Sequence, residues 1–160
     1  MEKFTGFEPL VDNDSEILIL GSFPSVKSRA NNFYYGNPQN RFWKMLATIF
    51  NENLPQPIEN KKELCRKHKI ALWDVVISSN LSGSSDVSLE KSNIELADIN
   101  ELLKRYPSIK TILCNGKLAY NLFNKYFKVE LSVFYMPSTS PANVSYNIDI
   151  WREKLTQKPQ

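Results

Sequence analysis

The sequence predicts an α/β fold, a three-layer α/β/α sandwich around a mostly parallel four-stranded sheet. Short apolar runs alternate along the chain with segments of helical periodicity, and this alternation is typical of parallel strands joined by crossover helices. Each apolar run also ends in a small or polar cluster. Because ligands bind at the carboxyl ends of the strands in such sheets, we expect these clusters to line one cleft.

Four apolar runs define the expected strands, at about residues 16–20, 70–76, 109–114 and 131–136. The runs are almost unbroken, as expected where both faces of a sheet are covered. The clusters that end them are Gly21-Ser22, Asp74, Asn115-Gly116 and Pro137-Ser138. The Ser-, Gly- and Asn-rich segment 78–88 is predicted to be a loop at the same edge.

Helices are expected at about residues 42–50, 61–69, 94–105, 117–127 and 144–156. In the first helix, apolar residues from Phe42 to Phe50 recur with the spacing of one helix face. Asn60 followed by Glu63 predicts a capping box at the start of the second helix.

The chain has 160 residues, and we expect a single domain over residues 1–160 because this length suffices for one core. Its composition, 42% hydrophobic and 23% charged, is ordinary for a globular protein. The net charge of +3 is compatible with a nucleic-acid partner but does not require one.

The two cysteines, Cys65 and Cys114, lie far apart and match no metal-binding spacing. They exclude a four-cysteine iron–sulfur cluster within this chain and indicate reduced thiols in an intracellular protein, which we expect in the cytoplasm. Residues 1–9 lack the apolar core of a signal peptide, and no apolar run approaches membrane length, so no membrane partner is expected.

Several familiar chemistries have no support in the sequence. There is no P-loop and no GxGxxG motif after a strand. The lone histidine, His68, lies in a charged helical stretch and is predicted to be a surface residue, badly placed for a catalytic triad. The remaining polar residues at the strand ends are amides, hydroxyls and one carboxylate, accompanied by aromatic rings. Such a set suits a flat heterocycle and a positioned water, and no metal or other cofactor is expected.

Four motifs occur in order, each at a strand end: GSFPS, YYGNPQNRFW, ALWDV and PSTSPAN. Together they resemble the uracil-DNA glycosylase superfamily, and most of all its hypoxanthine-DNA (deoxyinosine) glycosylase branch. The resemblance covers nearly the whole chain. It implies a monomeric enzyme that acts on damaged double-stranded DNA. We expect the enzyme to be monofunctional, because no lysine lies in a motif that suggests Schiff-base chemistry. Such an enzyme flips out the altered base and hydrolyses its N-glycosidic bond, leaving an abasic site.

The resemblance assigns the catalytic role to Asn40. In many superfamily members the third residue of the first turn is Asp or Asn and handles the water, whereas this chain has Phe23 there. In the hypoxanthine branch that work is attributed to the Asn of the second loop, which is Asn40 here. The alternative for Asn40 is a helix N-cap, and both roles can hold together.

The resemblance also implies a base pocket at the strand ends. Asp74 would accept a hydrogen bond from N1–H of hypoxanthine, which adenine lacks, and the alternative is a turn or cap aspartate. Met136 stands where better-known members often place a His or Asn that polarises a base carbonyl, which favours the hypoxanthine branch. Aromatic residues of the pocket are equally compatible with a core position. The expected substrate-binding residues are Gly21, Ser22, Phe23, Pro24, Tyr35, Asp74 and Asn115.

DNA phosphates are expected to contact hydroxyls, amides and basic side chains around the cleft. The alternative is an ordinary solvated surface and a plain strand-to-helix connection. The expected DNA-binding residues are Ser25, Lys27, Arg29, Ser138, Thr139, Ser140 and Asn143.

Three other functions remain open from the sequence. A glycosylase of this class could act on uracil or another mispaired base. Phe23, in place of an acidic or amide residue, would also fit a DNA-binding module that has lost catalysis. An unrelated flavodoxin-like domain that binds a small molecule is the third, because a fold does not define a function.

Overall fold

A four-stranded parallel sheet forms the middle layer of the fold. The computed structural model describes residues 4–23, 33–79 and 94–156. The strands within these residues are β1 (Phe4–Thr5), β2 (Ile17–Gly21), β3 (Ile70–Asp74), β4 (Val76–Ser79), β5 (Ile94–Leu96), β6 (Thr111–Asn115) and β7 (Ser132–Met136). The central sheet has the order β3-β2-β6-β7, and each neighbouring pair is parallel. The predicted fold class is therefore confirmed.

Helices cover both faces of this sheet. They are α1 (Phe42–Ile49), α2 (Ile58–Lys67), α3 (Ile99–Arg105), α4 (Lys117–Tyr126) and α5 (Ile148–Thr156). Successive residues of a strand point to opposite faces, so Leu18 and Leu20 pack on one side with residues of α3 and α4. Ile19 packs on the other side with residues of α1, α2 and α5. The unbroken apolar run of β2 is thus explained by burial on both faces.

A second, antiparallel sheet of order β1-β4-β5 was not expected from the sequence. The predicted strand 70–76 divides at its carboxyl end, because β3 stops at Asp74 and β4 begins at Val76 in the other sheet. The first residues of the predicted loop 78–88 belong to β4, and the rest of that segment lies outside the described residues. The chain therefore changes sheets directly after Asp74.

Three helix starts differ from those expected, each for a local reason. Residues 94–96 form β5, and α3 begins only after Asp98, whose carboxylate accepts a hydrogen bond from Glu101 N at 3.1 Å. The start of α2 lies at Ile58, so the predicted capping box is wrong. Asn60 lies inside that helix and donates to the carbonyl of Gln56.

The start of α5 was expected at residue 144 and is observed at Ile148. The intervening residues include a turn. Asn147 Oδ1 accepts a hydrogen bond from Asp149 N at 2.9 Å just where the helix begins. The loop that follows β7 is therefore longer than the sequence pattern indicated.

Gly116 lies where the carboxyl ends of β6 and β7 meet. Its φ of +99° lies in the left-handed region, and its N–H donates to Met136 O at 2.9 Å. A Cβ atom at this position would lie 3.1 Å from Ser138 Cβ. Both the backbone conformation and the close approach of the two turns therefore require glycine.

We expect Gly116→Ala to lower the free energy of unfolding by about 1–3 kcal/mol, because it adds steric strain at a left-handed residue. Denaturant unfolding of both proteins measures the difference. Lys117→Ala, at the exposed neighbouring position, is the matched control and should change the stability by less than about 0.5 kcal/mol. Equal stabilities of the Gly116 variant and the wild type would contradict this prediction.

Candidate active site

A cleft of about 240 Å³ opens at the carboxyl edge of the parallel sheet. It lies where the ends of β2, β3, β6 and β7 come together, as the sequence predicted. The residues that line it are Phe7, Gly21, Ser22, Phe23, Tyr34, Tyr35, Asn37, Asn40, Asp74, Asn115, Ser138, Thr139, Ser140 and Pro141. Most of the expected site residues are therefore brought together in one place.

The close packing of Gly21, Asp74 and Tyr35 forms one wall of the cleft. Gly21 pairs with Asp74 across the parallel strands β2 and β3. A Cβ atom on Gly21 would lie 2.5 Å from Asp74 Oδ1 and 3.2 Å from the Tyr35 hydroxyl oxygen. Gly21 is an ordinary strand residue, and its backbone angles do not call for glycine. The requirement is instead for the space that a missing side chain leaves.

Asp74 is a buried carboxyl group, only 5% exposed. Its Oδ2 atom has no hydrogen-bond partner within the described parts of the chain. Burial in this low-dielectric setting disfavours the charged form and raises the pKa of Asp74 to about 7. A buried polar atom without a partner is rare in folded proteins and often marks a functional site.

Tyr35 lines the cleft in an unusual backbone conformation. Its φ of +53° lies in the left-handed region, which non-glycine residues seldom occupy outside functional or strained sites. Its ring stacks on Phe42 with centroids 4.0 Å apart and planes 23° from parallel. Burial, and secondly the Asp74 carboxylate, raise the pKa of the Tyr35 hydroxyl, which therefore stays protonated at neutral pH.

Asn40 lies in the cleft wall at the beginning of α1. Its Oδ1 atom accepts a hydrogen bond from Phe42 N at 2.9 Å, so its side chain satisfies one of the free N–H groups of that helix end. The N-cap residue of α1 is Arg41, so Asn40 is not the N-cap that the sequence offered as an alternative, although its side chain bonds to the first N–H of the helix. A carbonyl oxygen has two lone pairs, so one acceptor site and the amide N–H₂ remain for a ligand or water.

A pair of reciprocal hydrogen bonds joins Asn115 to Thr139. Asn115 Nδ2 donates to Thr139 Oγ1 at 3.0 Å, and Thr139 N donates to Asn115 Oδ1 at 3.0 Å. Thr139 O in turn accepts from Arg41 N at 3.0 Å. Because Thr139 is completely buried, these contacts favour a positioning role for its side chain over a direct contact with phosphate.

The loop after β7 is held by its own polar side chains. Asn143 Nδ2 donates to Ser138 O at 2.9 Å, and Ser140 N donates to Ser138 Oγ at 3.0 Å. Arg41 Nη1 donates to Asn143 O at 3.1 Å, which ties the loop to the start of α1. At the end of this braced loop the side chain of Val144 is 98% exposed.

The first turn is described only in part. Ser22 O accepts from Val76 N at 2.9 Å, and Phe23 is buried in the core cluster while one part of it lines the cleft. Both are therefore where the sequence predicted. Four expected residues lie outside the described parts of the chain: Pro24, Ser25, Lys27 and Arg29.

Several cleft residues were missed by the sequence analysis. Phe7 comes from the segment before β2, where no motif marked it. The Tyr34 hydroxyl donates to Glu8 O at 2.6 Å, and this bond holds the segment before β2 against the cleft wall. Asn37 lies inside a quoted motif, but no feature of the motif distinguished it from its neighbours.

Other kinds of site receive no support from the described residues. The described residues contain no group of three or more His, Cys, Asp or Glu side chains that could hold a metal ion. His68 does not line the cleft, since its ring stacks on Phe50 and its Nε2 pairs with Glu52. None of the helices in the described part is long and apolar enough to cross a membrane.

We expect Asp74→Asn to remove a pH dependence of stability. The pKa of Asp74 is raised from 3.8 to about 7 on folding, so the folded protein holds this proton more tightly than the unfolded chain. The free energy of unfolding of the wild type should therefore fall by a few kcal/mol as the pH rises from about 4 to about 7. Denaturant unfolding at several pH values measures this slope.

The exposed Asp14 provides the matched control, because Asp14→Asn should keep the slope of the wild type. An unchanged slope in the Asp74 variant would show that Asp74 is not the group responsible.

Comparison with known proteins agrees with this fold and cleft. Residues 8–158 match the model of the uracil DNA glycosylase superfamily. A protein of Methanosarcina acetivorans named hypoxanthine DNA glycosylase is 37% identical over 141 residues, which are 86% of this chain and 87% of that protein. A protein of Methanosarcina barkeri with the same name is 38% identical over 116 residues, 72% of each chain.

A solved structure also resembles this one. It is a solution NMR structure of a protein from Methanosarcina acetivorans, described as a candidate uracil DNA glycosylase. It has a TM-score of 0.78 and 31% sequence identity, over 96% of each chain. From these matches and from the cleft at the end of its parallel sheet, the chain belongs to the uracil DNA glycosylase superfamily.

Proposed function

We propose that this protein is a monofunctional DNA glycosylase that excises hypoxanthine from deoxyinosine in damaged double-stranded DNA. The observation that carries the proposal is the presence of Asn40, Tyr35 and Asp74 in one cleft at the strand ends. These side chains can position a water, stack on a base and bind a base edge, respectively. The names of the two Methanosarcina relatives support hypoxanthine as the substrate base.

The flipped base would enter the cleft with its ring against aromatic side chains. The ring of Tyr35 is held in place by its stacking on Phe42, and Phe23 offers a second apolar surface. Asp74, at the inner wall, would meet the N1–H edge of hypoxanthine. Gly21 leaves room for the Asp74 carboxyl group at this wall because it has no side chain.

Asn40 would orient the water that attacks C1′ of the sugar. The water oxygen bonds to C1′ while the bond from C1′ to N9 breaks, and that electron pair leaves with the base. A proton from the water replaces the lost bond on the base, directly or through solvent. An amide is a weak base, so Asn40 would contribute position more than proton transfer.

The DNA strand would pass over the mouth of the cleft. Ser138, Ser140 and Asn143 belong to the loop at this mouth, and hydroxyls and backbone N–H groups are common phosphate contacts. Val144, exposed at the end of the same braced loop, would fill the space that the flipped nucleotide leaves.

We expect Asn40→Ala to slow single-turnover excision of hypoxanthine by about a hundredfold or more, because the attacking water loses its position. Duplex oligonucleotides with one deoxyinosine, one deoxyuridine or no lesion serve as substrates, and alkali reveals abasic sites.

Asn40→Ser is the matched control, since its hydroxyl still caps α1 but cannot reproduce the amide. A serine variant that is stable but slow would show that Asn40 acts in catalysis and not only in folding. A serine variant as fast as the wild type would refute the catalytic assignment. Cleavage only at deoxyuridine would replace hypoxanthine by uracil as substrate. Binding of abasic DNA without any cleavage would favour a non-catalytic module.

We expect Val144→Ala to slow excision from duplex DNA more than from single-stranded DNA, because only the duplex must be held open. The ratio of the two single-turnover rates, compared with the wild-type ratio, is the measurement. Ile150→Ala is the matched control, since Ile150 is also an exposed apolar residue but lies on α5. Equal ratios for the Val144 variant and the wild type would contradict this role.

A further inference from the structure

Among the described residues, no positive charge in the cleft wall compensates the Asp74 carboxyl group. The described residues that line the cleft include no Lys, Arg or His. Oδ1 is packed against the backbone at Gly21, while Oδ2 is buried and has no hydrogen-bond partner among the described residues. An ionised carboxylate in this position would have lost its water without gaining a donor or a cation, which is costly.

The titratable groups around Asp74 are also neutral. From the loop before α1, the hydroxyls of Tyr34 and Tyr35 interact with Asp74, and burial raises the pKa of each above its ordinary value. From β6, Cys114 interacts with Tyr35, and burial raises the pKa of its thiol to about 12. The basic residues Lys27 and Arg29 lie outside the described part of the chain. Among the described neighbours, no charge therefore holds Asp74 in its ionised form.

We propose that Asp74 binds the flipped base as a neutral carboxylic acid, accepting a hydrogen bond from N1–H and donating its own proton in a second one to O6. This inference rests on the proposed function of the same cleft. Asp74 lines the cleft, and its buried Oδ2 atom has no hydrogen-bond partner among the described residues. The two hydrogen bonds would form a planar pair with the N1–H and C6=O6 edge of hypoxanthine.

A neutral acid suits the chemistry better than a carboxylate does. When the glycosidic bond breaks, its electron pair spreads over the purine ring and reaches O6. A carboxylate would repel that charge, whereas an O–H donor stabilises it in a site from which water is excluded. Raised pKa values that keep a carboxyl protonated near neutral pH are a known means to this end, and burial raises the pKa of Asp74 to about 7.

This arrangement changes how adenine is rejected. A carboxylate would discriminate through N1–H, which adenine lacks, but a neutral acid can also pair with N1 and the 6-amino group of adenine. Selection against adenine would then depend on the cost of opening its base pair, which is smallest for a mispaired base.

The test compares single-turnover excision of hypoxanthine by the wild type and Asp74→Asn between about pH 5 and pH 9, with saturating enzyme so that DNA binding does not limit the rate. The wild-type rate should be level at low pH and fall about tenfold per pH unit above about pH 7. Asparagine has the same acceptor and donor pattern without a titrating proton, so its variant should be slower at low pH and independent of pH. Asp74→Leu, which can make neither bond, should be slow throughout.

A wild-type rate that rises through pH 7 would overturn the neutral acid while leaving the proposed function intact. The same conclusion would follow if the Asn variant kept the pH dependence of the wild type. Infrared difference spectra of the wild type against the Asn variant give a readout without activity. The carbonyl stretch of a protonated carboxyl should be present near pH 6, and its absence would also overturn the proposal. Absence of excision at every pH, by contrast, would refute the proposed function itself.

Discussion

The pairing of β2 with β3 is the constraint on which the cleft depends. In this register Gly21 lies opposite Asp74, so the carboxyl group packs directly over a backbone that has no side chain. A shift of one residue would turn Asp74 toward the other face of the sheet and place Leu20 against it. The same strand pairs with β6 on its other side, which sets the distance from Asp74 to Asn115 across the sheet edge. The position of the buried carboxyl therefore follows from the strand register, and the loops are built around it.

A network of side-chain hydrogen bonds gives the rest of the site its shape. Asn115 and Thr139 join the turn after β6 to the loop after β7, and Arg41 joins that loop to the start of α1. Asn40 belongs to the same connection through its bond to Phe42. The groups that we propose to position a water and a base are thus held before any ligand arrives, which lowers the cost of ordering them during the reaction.

The site also contains features that lower stability. Asp74 is buried with one carboxyl oxygen that has no partner in the described part of the chain, Tyr35 has a left-handed backbone, and Gly116 brings two turns into close contact. Each of these features lowers the stability of the fold, so none is expected where a residue serves folding alone. All of them occur together at one edge of the sheet. The two apolar layers on the faces of the sheet supply the burial that compensates for them. The ends of the strands therefore form the site, whereas the middles of the same strands supply the stability of the fold.

The sequence by itself determined the α/β class, the four parallel strands and the polar residues at their ends, because burial on both faces leaves continuous apolar runs such as Ile17 to Leu20. It did not reveal the antiparallel sheet, because β1, β4 and β5 are short and pair across long stretches of chain. Local periodicity also could not indicate that Phe7 reaches the cleft or that Gly21 is required for space. The burial of Asp74 was decided only by the tertiary structure, since the dielectric around a side chain depends on the segments packed against it and not on its neighbours in sequence.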